Sequence, residues 1–203
     1  MKITDHLIQL LWEEEYDKSP LTRKSFPVNM RLYKINSDYR KCILEIVRYM
    51  DIHLRSHFED YPDPRGVTAA NLGFPLCIIG FKKNALAGLR TENQFCLNPK
   101  ITKRSIHTTS VNTNCGSLRL QQNVSVDRFL TIDFEYYDLE GNLTQKKDVS
   151  RIDGGFTVQN EIDQINGRTI LDVAKKESSN IETPKNSGTI RNPARAFSDD
   201  GCP

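Results

Sequence analysis

The segment from Phe156 to Asn166, FTVQNEIDQIN, is the sequence feature that most constrains the fold. Three of its apolar residues recur at helical spacing: Val158, Ile162 and Ile165. This periodicity predicts an amphipathic helix with one side packed on a core. Asn160 and Gln164 stand one helical turn apart, with Glu161 beside them. Because polar residues at this spacing are common on helix surfaces, the pattern alone also fits an ordinary solvent-facing side.

The three polar residues occupy the positions of an H-E-x-x-H motif. In that motif two histidines bind a metal ion and the glutamate transfers protons. Here the glutamate is Glu161, but Asn160 and Gln164 stand where the histidines would be. The helix therefore has the layout of a hydrolase metal site from which both histidine ligands are missing.

A second helix is predicted from Ser37 or Asp38, either of which can cap it, to about His57. Its apolar stripe comprises Ile43, Ile46, Val47, Met50 and Leu54. The following YPDPRG contains two prolines and a glycine, which end the helix. His53 and His57 are four residues apart and could clamp a metal, but no third ligand lies near them in sequence. An ordinary helix surface is therefore the better interpretation.

The middle of the chain predicts β-structure. The small-residue segment GVTAANLGFP favours a tight turn, and LCIIGF after it a buried strand. In FCLNPKI, Pro99 ends or bends a strand. Residues 124–139 carry the clearest β signal, because Val, Phe, Ile and Tyr are frequent there and polar residues interleave. A return strand is predicted to follow to about Val149. Thr169–Asp172 predicts a last short strand. The order indicates an α+β fold with mostly antiparallel sheets wrapped around the late helix.

The 203 residues are sufficient for one domain with a proper core. We expect a lead-in over residues 1–36, including a short helix at Ile3–Trp12, a domain over 37–175 and a mobile polar tail over 176–203. The formal net charge of +2 gives no reason to expect a nucleic acid or a membrane as partner. Five cysteines without a C-x-x-C pair indicate neither a disulfide framework nor a zinc knuckle. The cytoplasm or an organelle matrix fits this pattern, and the amino terminus lacks the features of a secretory signal.

Taken in order, five segments resemble the peptide deformylase family over roughly residues 38–173. Ala69-Ala70 stand where the family has G-x-G-x-A-A-x-Q, and FCLNPKI is similar to its apolar-Asn-Pro-x-Ile strand. TNCGS stands in place of E-G-C-L-S. Val126 to Arg128, with FEYYDLEGN, resembles the strand and turn after it. VQNEIDQINGRTILD stands in place of the Q-H-E-x-D-H-x-x-G helix and the short strand after that helix.

The resemblance implies the deformylase fold. In that family a divalent metal, bound by the cysteine and both histidines, supplies the hydroxide that attacks the formyl group of N-formylmethionine. Cys115 matches the cysteine ligand and Glu161 the acid/base residue, whereas Asn160 and Gln164 replace the histidines. The glutamine of the first motif falls at Asn71 or Leu72, depending on a one-residue gap. The pocket candidates implied are Ala69, Ala70, Gly116, Ser117, Asn160 and Gln164.

These replacements predict the loss of metal-dependent deformylation. Imidazole is a good donor to first-row divalent metals, whereas a primary amide oxygen is a weak, hard ligand. Without the metal, water keeps a pKa of about 15.7 rather than about 7. We therefore expect a pseudoenzyme without a metal cofactor that binds peptides or proteins, with a peptide amino terminus or a nascent chain as partner.

Two alternatives stay open at the level of sequence. The chain could be an active peptide deformylase or related hydrolase with an atypical site. It would then use iron, nickel or zinc with an unexpected ligand such as His107, or Cys115 as a nucleophile. It could also be a scaffold with a vestigial pocket, whose partner binds at the chain ends. The sequence therefore does not decide whether the chain is an enzyme.

Overall fold

The computed structural model describes residues 23–55, 65–83, 92–113 and 124–174. The predicted helix at Ile3–Trp12, the tail from residue 176, and Cys115, Gly116 and Ser117 lie outside these ranges. The elements in chain order are α1 (Met30–Ile35), α2 (Ser37–Arg55), β1 (Gly66–Thr68), a 3-10 helix (Ala69–Leu72), β2 (Ile78–Lys83), β3 (Glu92–Arg104), β4 (Thr108–Thr113), β5 (Val124–Phe129), β6 (Thr131–Tyr137), β7 (Leu143–Ser150), α3 (Gly155–Ile165) and α4 (Ile170–Val173). None of the described helices is long and apolar enough to cross a membrane.

The strands form a five-stranded sheet in the order β1-β2-β3-β6-β7 and a separate ribbon of β4 and β5. Every pairing between these strands is antiparallel. The α+β class with mostly antiparallel sheets is thereby confirmed.

The larger sheet lies between α2 and α3, and a hydrophobic core fills each side of it. Successive residues of a strand point to opposite faces, so Ile78 packs in the core under α2 while Ile79 packs in the core under α3. Because both faces are covered there, the first four residues of β2, IIGF, form a continuous buried run rather than an alternating one, and the strand ends in two half-buried lysines. The stripe predicted for α2 is confirmed, since all five of its residues are buried in the first core.

The local predictions were wrong at several points. Residues 124–139 do not form one β segment, because the chain leaves the β4–β5 ribbon at Leu130 and enters the large sheet. Thr169–Asp172 forms the start of α4 instead of a strand, since the Asp172 carboxylate accepts hydrogen bonds from Thr169 N and Oγ1 in a capping box. The cap of α2 is neither Ser37 nor Asp38 but Asn36, whose Oδ1 accepts from the backbone N–H groups of residues 38 and 39.

Pro99 bends β3 without ending it. The strand continues through the proline to Arg104, with an irregularity in its pairing with β6 between Leu97 and Lys100. Asn98 takes a left-handed conformation at this point, with φ of 51°. Asparagine tolerates that region better than most residues, because its short polar side chain forms local hydrogen bonds.

Residues 24–28 form an extended strap that fastens α3 to the sheet. Ser25 N donates to Ile165 O at 2.8 Å, at the carboxyl end of α3. Farther along, Val28 N donates to Asn98 Oδ1 at 2.7 Å, and Asn98 Nδ2 donates to Val28 O at 2.8 Å. The asparagine side chain thus pairs with the strap as a neighbouring strand would. The described end of the segment interpreted from sequence as a lead-in, from residue 23 onward, therefore contributes to the fold.

Candidate functional site

The predicted late helix is α3, and glycines at its start allow it to lie close against the sheet. Gly154 has φ of 91°, a conformation that favours glycine. A Cβ at Gly155 would lie 2.5 Å from the carbonyl oxygen of Val149. The helix therefore begins in contact with the end of β7, which orients its polar residues toward β1 and β5.

Glu161 projects from α3 into the interior and is only 4% exposed. Its carboxylate touches β1, since a Cβ at Gly66 would lie 2.4 Å from Glu161 Oε1. Oε1 accepts a hydrogen bond from Asn160 Nδ2 at 3.2 Å, whereas Oε2 has no hydrogen-bond partner within the described ranges. Burial raises the pKa of Glu161 to about 7, against the opposing effects of the Asn160 hydrogen bond and the charge of Arg128.

Asn160, at the first histidine position of the motif, uses both ends of its amide within the protein. Its Oδ1 accepts from Arg128 Nη2 at 3.2 Å while its Nδ2 donates to Glu161. A guanidinium only donates hydrogen bonds, so it must meet the oxygen end of the amide. Asn160 thereby connects a buried cation to the acid.

Arg128 is a site residue that the sequence analysis missed. It is 6% exposed, and its Nη1 lies 2.6 Å from Asp163 Oδ2 on α3. Asp163 also pairs with the exposed Arg168 at 3.5 Å. A sequence signal was present, because Val124, Val126 and Arg128 alternate along one strand and so share its buried face. A charge on such a face requires a charged or hydrogen-bonding partner.

Gln164, at the second histidine position, is also buried, with 3% exposure. Its Oε1 accepts from Asn71 Nδ2 at 3.3 Å. Asn71 is held in turn by Thr68, because Thr68 N donates to Asn71 Oδ1 at 2.7 Å at the start of the 3-10 helix. Of the two residues proposed for the first-motif glutamine, the structure thus brings Asn71 to Gln164. Leu72 instead packs against the core under α2.

Gln159, the first residue of the motif, holds α3 to the ribbon. Its Oε1 accepts from Phe129 N at 2.9 Å, and its Nε2 donates to Phe129 O at 3.0 Å. The side chain is 4% exposed, so these bonds replace those of a neighbouring strand at the end of β5. Gln159 therefore fixes the distance between the helix and the strand that carries Arg128.

The other predicted residues are distributed more widely. Ala69 and Ala70 are buried in the 3-10 helix, next to Asn71. His53 is half-buried on α2, with its pKa lowered by burial, while His57 lies outside the described residues. His107 is exposed in the turn between β3 and β4, where its carbonyl accepts from the backbone of residue 130.

Comparison with known proteins agrees with this arrangement. The sequence model of the family described as polypeptide deformylase matches residues 14–180. The chain belongs to the polypeptide deformylase family. No curated protein matches the deformylase-family chain with significance.

Solved structures of peptide deformylases share the fold of the deformylase-family chain. Peptide deformylase 1B of Arabidopsis thaliana is 20% identical over 80% of each chain, with a TM-score of 0.62. A peptide deformylase of Acinetobacter baumannii is 18% identical over 78% of this chain and 95% of that chain, with a TM-score of 0.63. The enzyme of Plasmodium falciparum is 27% identical over 80% and 85%, with a TM-score of 0.57.

The family implies a divalent metal, and the residues at the two described ligand positions do not fit one. Both replacement side chains are amides, whose oxygens are weak ligands for first-row metals. The oxygen of Asn160 already accepts from Arg128, and that of Gln164 from Asn71. A metal at Asn160 would also lie next to the Arg128 guanidinium, whose charge repels it. The position of the third ligand, Cys115, lies outside the described residues.

Proposed function

We propose that this deformylase-family chain binds the amino-terminal part of a peptide or protein and has lost metal-dependent deformylation. The observation that carries the proposal is the hydrogen bonding at the two histidine positions. The amide oxygens of Asn160 and Gln164 accept N–H groups from Arg128 and Asn71 at 3.2 and 3.3 Å. Each oxygen already accepts one hydrogen bond within the fold, so a metal would have to share a weak amide donor with an existing N–H partner.

Loss of the metal removes the source of the nucleophile. A metal-bound water ionises near neutral pH, whereas free water does not. Glu161 alone can accept a proton but cannot lower the pKa of water by several units. Removal of a catalytic element of this kind costs several orders of magnitude in rate. The proposal therefore expects deformylation at or near the background rate.

The peptide-binding part of the proposal is supported by the edge of the large sheet. Among the described strands, β1 pairs on one side only, with β2. Its Gly66 lies in contact with the Glu161 carboxylate. An extended peptide that adds to the outer edge of β1 would form backbone hydrogen bonds there and reach the polar residues of α3.

The first experiment combines metal analysis with an activity assay. The chain is purified without oxygen in the presence of iron or nickel, its metal content is measured by elemental analysis, and turnover of formyl-Met-Ala-Ser is followed. We expect less than a stoichiometric amount of metal and no turnover above that of Glu161→Gln. One metal per chain, with turnover that Glu161→Gln abolishes, would refute the loss of activity.

A gain-of-function variant provides the matched control. The double substitution Asn160→His and Gln164→His replaces both amides by imidazoles, which are good donors to nickel and cobalt. We expect this variant to retain more cobalt than the parent chain after gel filtration. Equal retention by the two proteins would contradict the argument from the amides.

A second candidate function is hydrolysis by an atypical site, and one observation favours it. Glu161 is retained, is buried, and has a pKa of about 7, which suits an acid/base catalyst near neutral pH. The experiment on metal content and turnover separates the two candidates. Calorimetric titration with Met-Ala-Ser and formyl-Met-Ala-Ser tests peptide binding independently of turnover.

A further inference from the structure

We infer that the site binds a primary ammonium group and that Glu161 Oε2 is the atom that receives it. The inference rests on the proposed peptide-binding function and adds the chemical class of the bound group. A free amino terminus supplies such a group, and so does a lysine side chain. A formylated amino terminus does not.

The hydrogen bonds of the site single out one unsatisfied atom. Asn160 uses its oxygen on Arg128 and its nitrogen on Glu161 Oε1, and the Gln164 oxygen receives Asn71. Within the described ranges, Glu161 Oε2 is buried and has no partner. An unpaired buried acceptor is costly and uncommon in folded proteins. It therefore marks the place where a ligand donates a hydrogen bond.

The charges around Oε2 favour a cationic donor over a neutral one. Arg128 is the buried cation nearby, but its Nη1 is engaged with Asp163 at 2.6 Å. It reaches Glu161 through the amide of Asn160 and not by direct contact. No hydrogen bond or ion pair therefore joins the carboxylate directly to a positive charge within the described ranges, although the charge of Arg128 acts on it from farther away. A charge-assisted hydrogen bond from an ammonium group is about twice as strong as one from a neutral N–H group.

The contact with β1 indicates how the group would arrive. Glu161 Oε1 and the Cγ2 atom of Thr157 would lie 2.4 and 2.5 Å from a Cβ at Gly66. The backbone of β1 therefore lies directly against the carboxylate. The end of a peptide that pairs with the outer edge of β1 would come to the acid without any added side chain between them. A formyl group at that end would remove the positive charge and add a carbonyl oxygen, which the ionised form of the carboxylate repels.

The test is a calorimetric comparison of three peptides at pH 7 on the full-length chain. The peptides are Met-Ala-Ser, formyl-Met-Ala-Ser, and acetyl-Met-Ala-Ser-Lys, whose only primary ammonium is on its side chain. We expect one of the two ammonium-bearing peptides to bind at least tenfold more tightly than the formylated peptide. If it is Met-Ala-Ser, the source is a free amino terminus; if it is the acetylated peptide, the source is a lysine.

A pair of variants tests whether the preference for an ammonium-bearing peptide depends on Glu161. Glu161→Gln removes the charge with little change of shape and is expected to reduce the preference to less than twofold. Glu45→Gln changes an exposed glutamate on α2 and is expected to preserve the preference. Because the peptide comparison is made on the parent chain, it does not depend on whether either variant folds.

The outcomes separate this inference from the proposed function. Equal or tighter binding of formyl-Met-Ala-Ser overturns the ammonium assignment and leaves peptide binding intact. The assignment is also overturned if the preference persists in Glu161→Gln. Binding of none of the three peptides contradicts the proposed function itself, and the inference with it.

Discussion

Glu161→Gln offers a direct measure of the burial of the acid. In the folded chain the pKa of Glu161 is about 7, against an ordinary value of 4.5, because burial disfavours the charged form. The folded protein therefore holds this proton more tightly than the unfolded chain does. The contribution of Glu161 to stability is greatest below pH 4.5 and decreases as the pH rises through 7. Glutamine has no such proton and keeps an oxygen that can accept from Asn160.

The expected magnitude follows from the same pKa values. Each pKa unit corresponds to about 1.4 kcal/mol, so the full effect of Glu161 is about 3 kcal/mol. Between pH 4.5 and 7, the free energy of unfolding of the parent chain decreases by about 1.4 kcal/mol per pH unit relative to the variant. Above pH 7 the difference becomes constant. Other titrating groups are common to both proteins and cancel in the comparison.

The assay is urea denaturation of both proteins, followed by far-UV circular dichroism at half-unit steps from pH 4.5 to 8. We expect the variant to gain stability relative to the parent by about 3 kcal/mol across this range. A difference that is constant within about 0.5 kcal/mol, the usual scale of a surface substitution, would refute the reasoning. In that case the acid would be solvated, or Oε2 would have a partner.

Three further substitutions test the contacts around the site by the same denaturation assay. Gly66→Ala is expected to destabilise the fold by about 1–3 kcal/mol, because its Cβ would collide with Glu161; an unchanged midpoint would contradict that contact. Gln159→Ala leaves the N–H of Phe129 without its partner and is expected to cost about 1–3 kcal/mol; Gln145→Ala, at an exposed glutamine of β7, is the matched control and is expected to change the midpoint little. Arg128→Met leaves a partly buried carboxylate with only an exposed arginine, for an expected loss of about 3–5 kcal/mol, and a loss below about 1 kcal/mol would contradict the buried ion pair.

The elements with a strong periodic signal could be predicted from the sequence. The stripe of α2 and the apolar side of α3 are repeated over several turns, so that their burial follows from spacing alone. The boundaries of these elements could be predicted approximately from the glycines and prolines at their ends. The resemblance to the deformylase family then predicted how the elements are arranged. The match of the family model over residues 14–180 confirmed the resemblance.

The predictions failed where neighbours distant in sequence decide the structure. A leucine is compatible with a strand, so the sequence does not distinguish Leu130 from its neighbours. It lies at the corner between the two sheets because β5 pairs with β4 whereas β6 pairs with β3. The short α4 depends on a capping box, whose two hydrogen bonds outweigh the strand propensity of its residues.

The interior of the site could be predicted only in part. The positions of Asn160, Glu161 and Gln164 on one helix followed from sequence, but their partners did not. Arg128 lies on another element, and Asn71 reaches Gln164 only because Thr68 sets the start of the 3-10 helix. Such contacts depend on the packing of elements against each other, which a sequence pattern does not specify.

The strap at residues 24–28 has a consequence for synthesis of the chain on the ribosome. Its backbone partner in α3, Ile165, is translated long after Ser25 has emerged. The earliest described residues can therefore reach their final contacts only when nearly all of the domain has been made, and closing so long a loop is slow. A polypeptide arrested before α3 could pair Phe26 and Val28 with the sheet, but it would leave Ser25 without its partner and expose the core face that α3 covers. Nascent chains of this protein are thus expected to need protection until the last helix is complete.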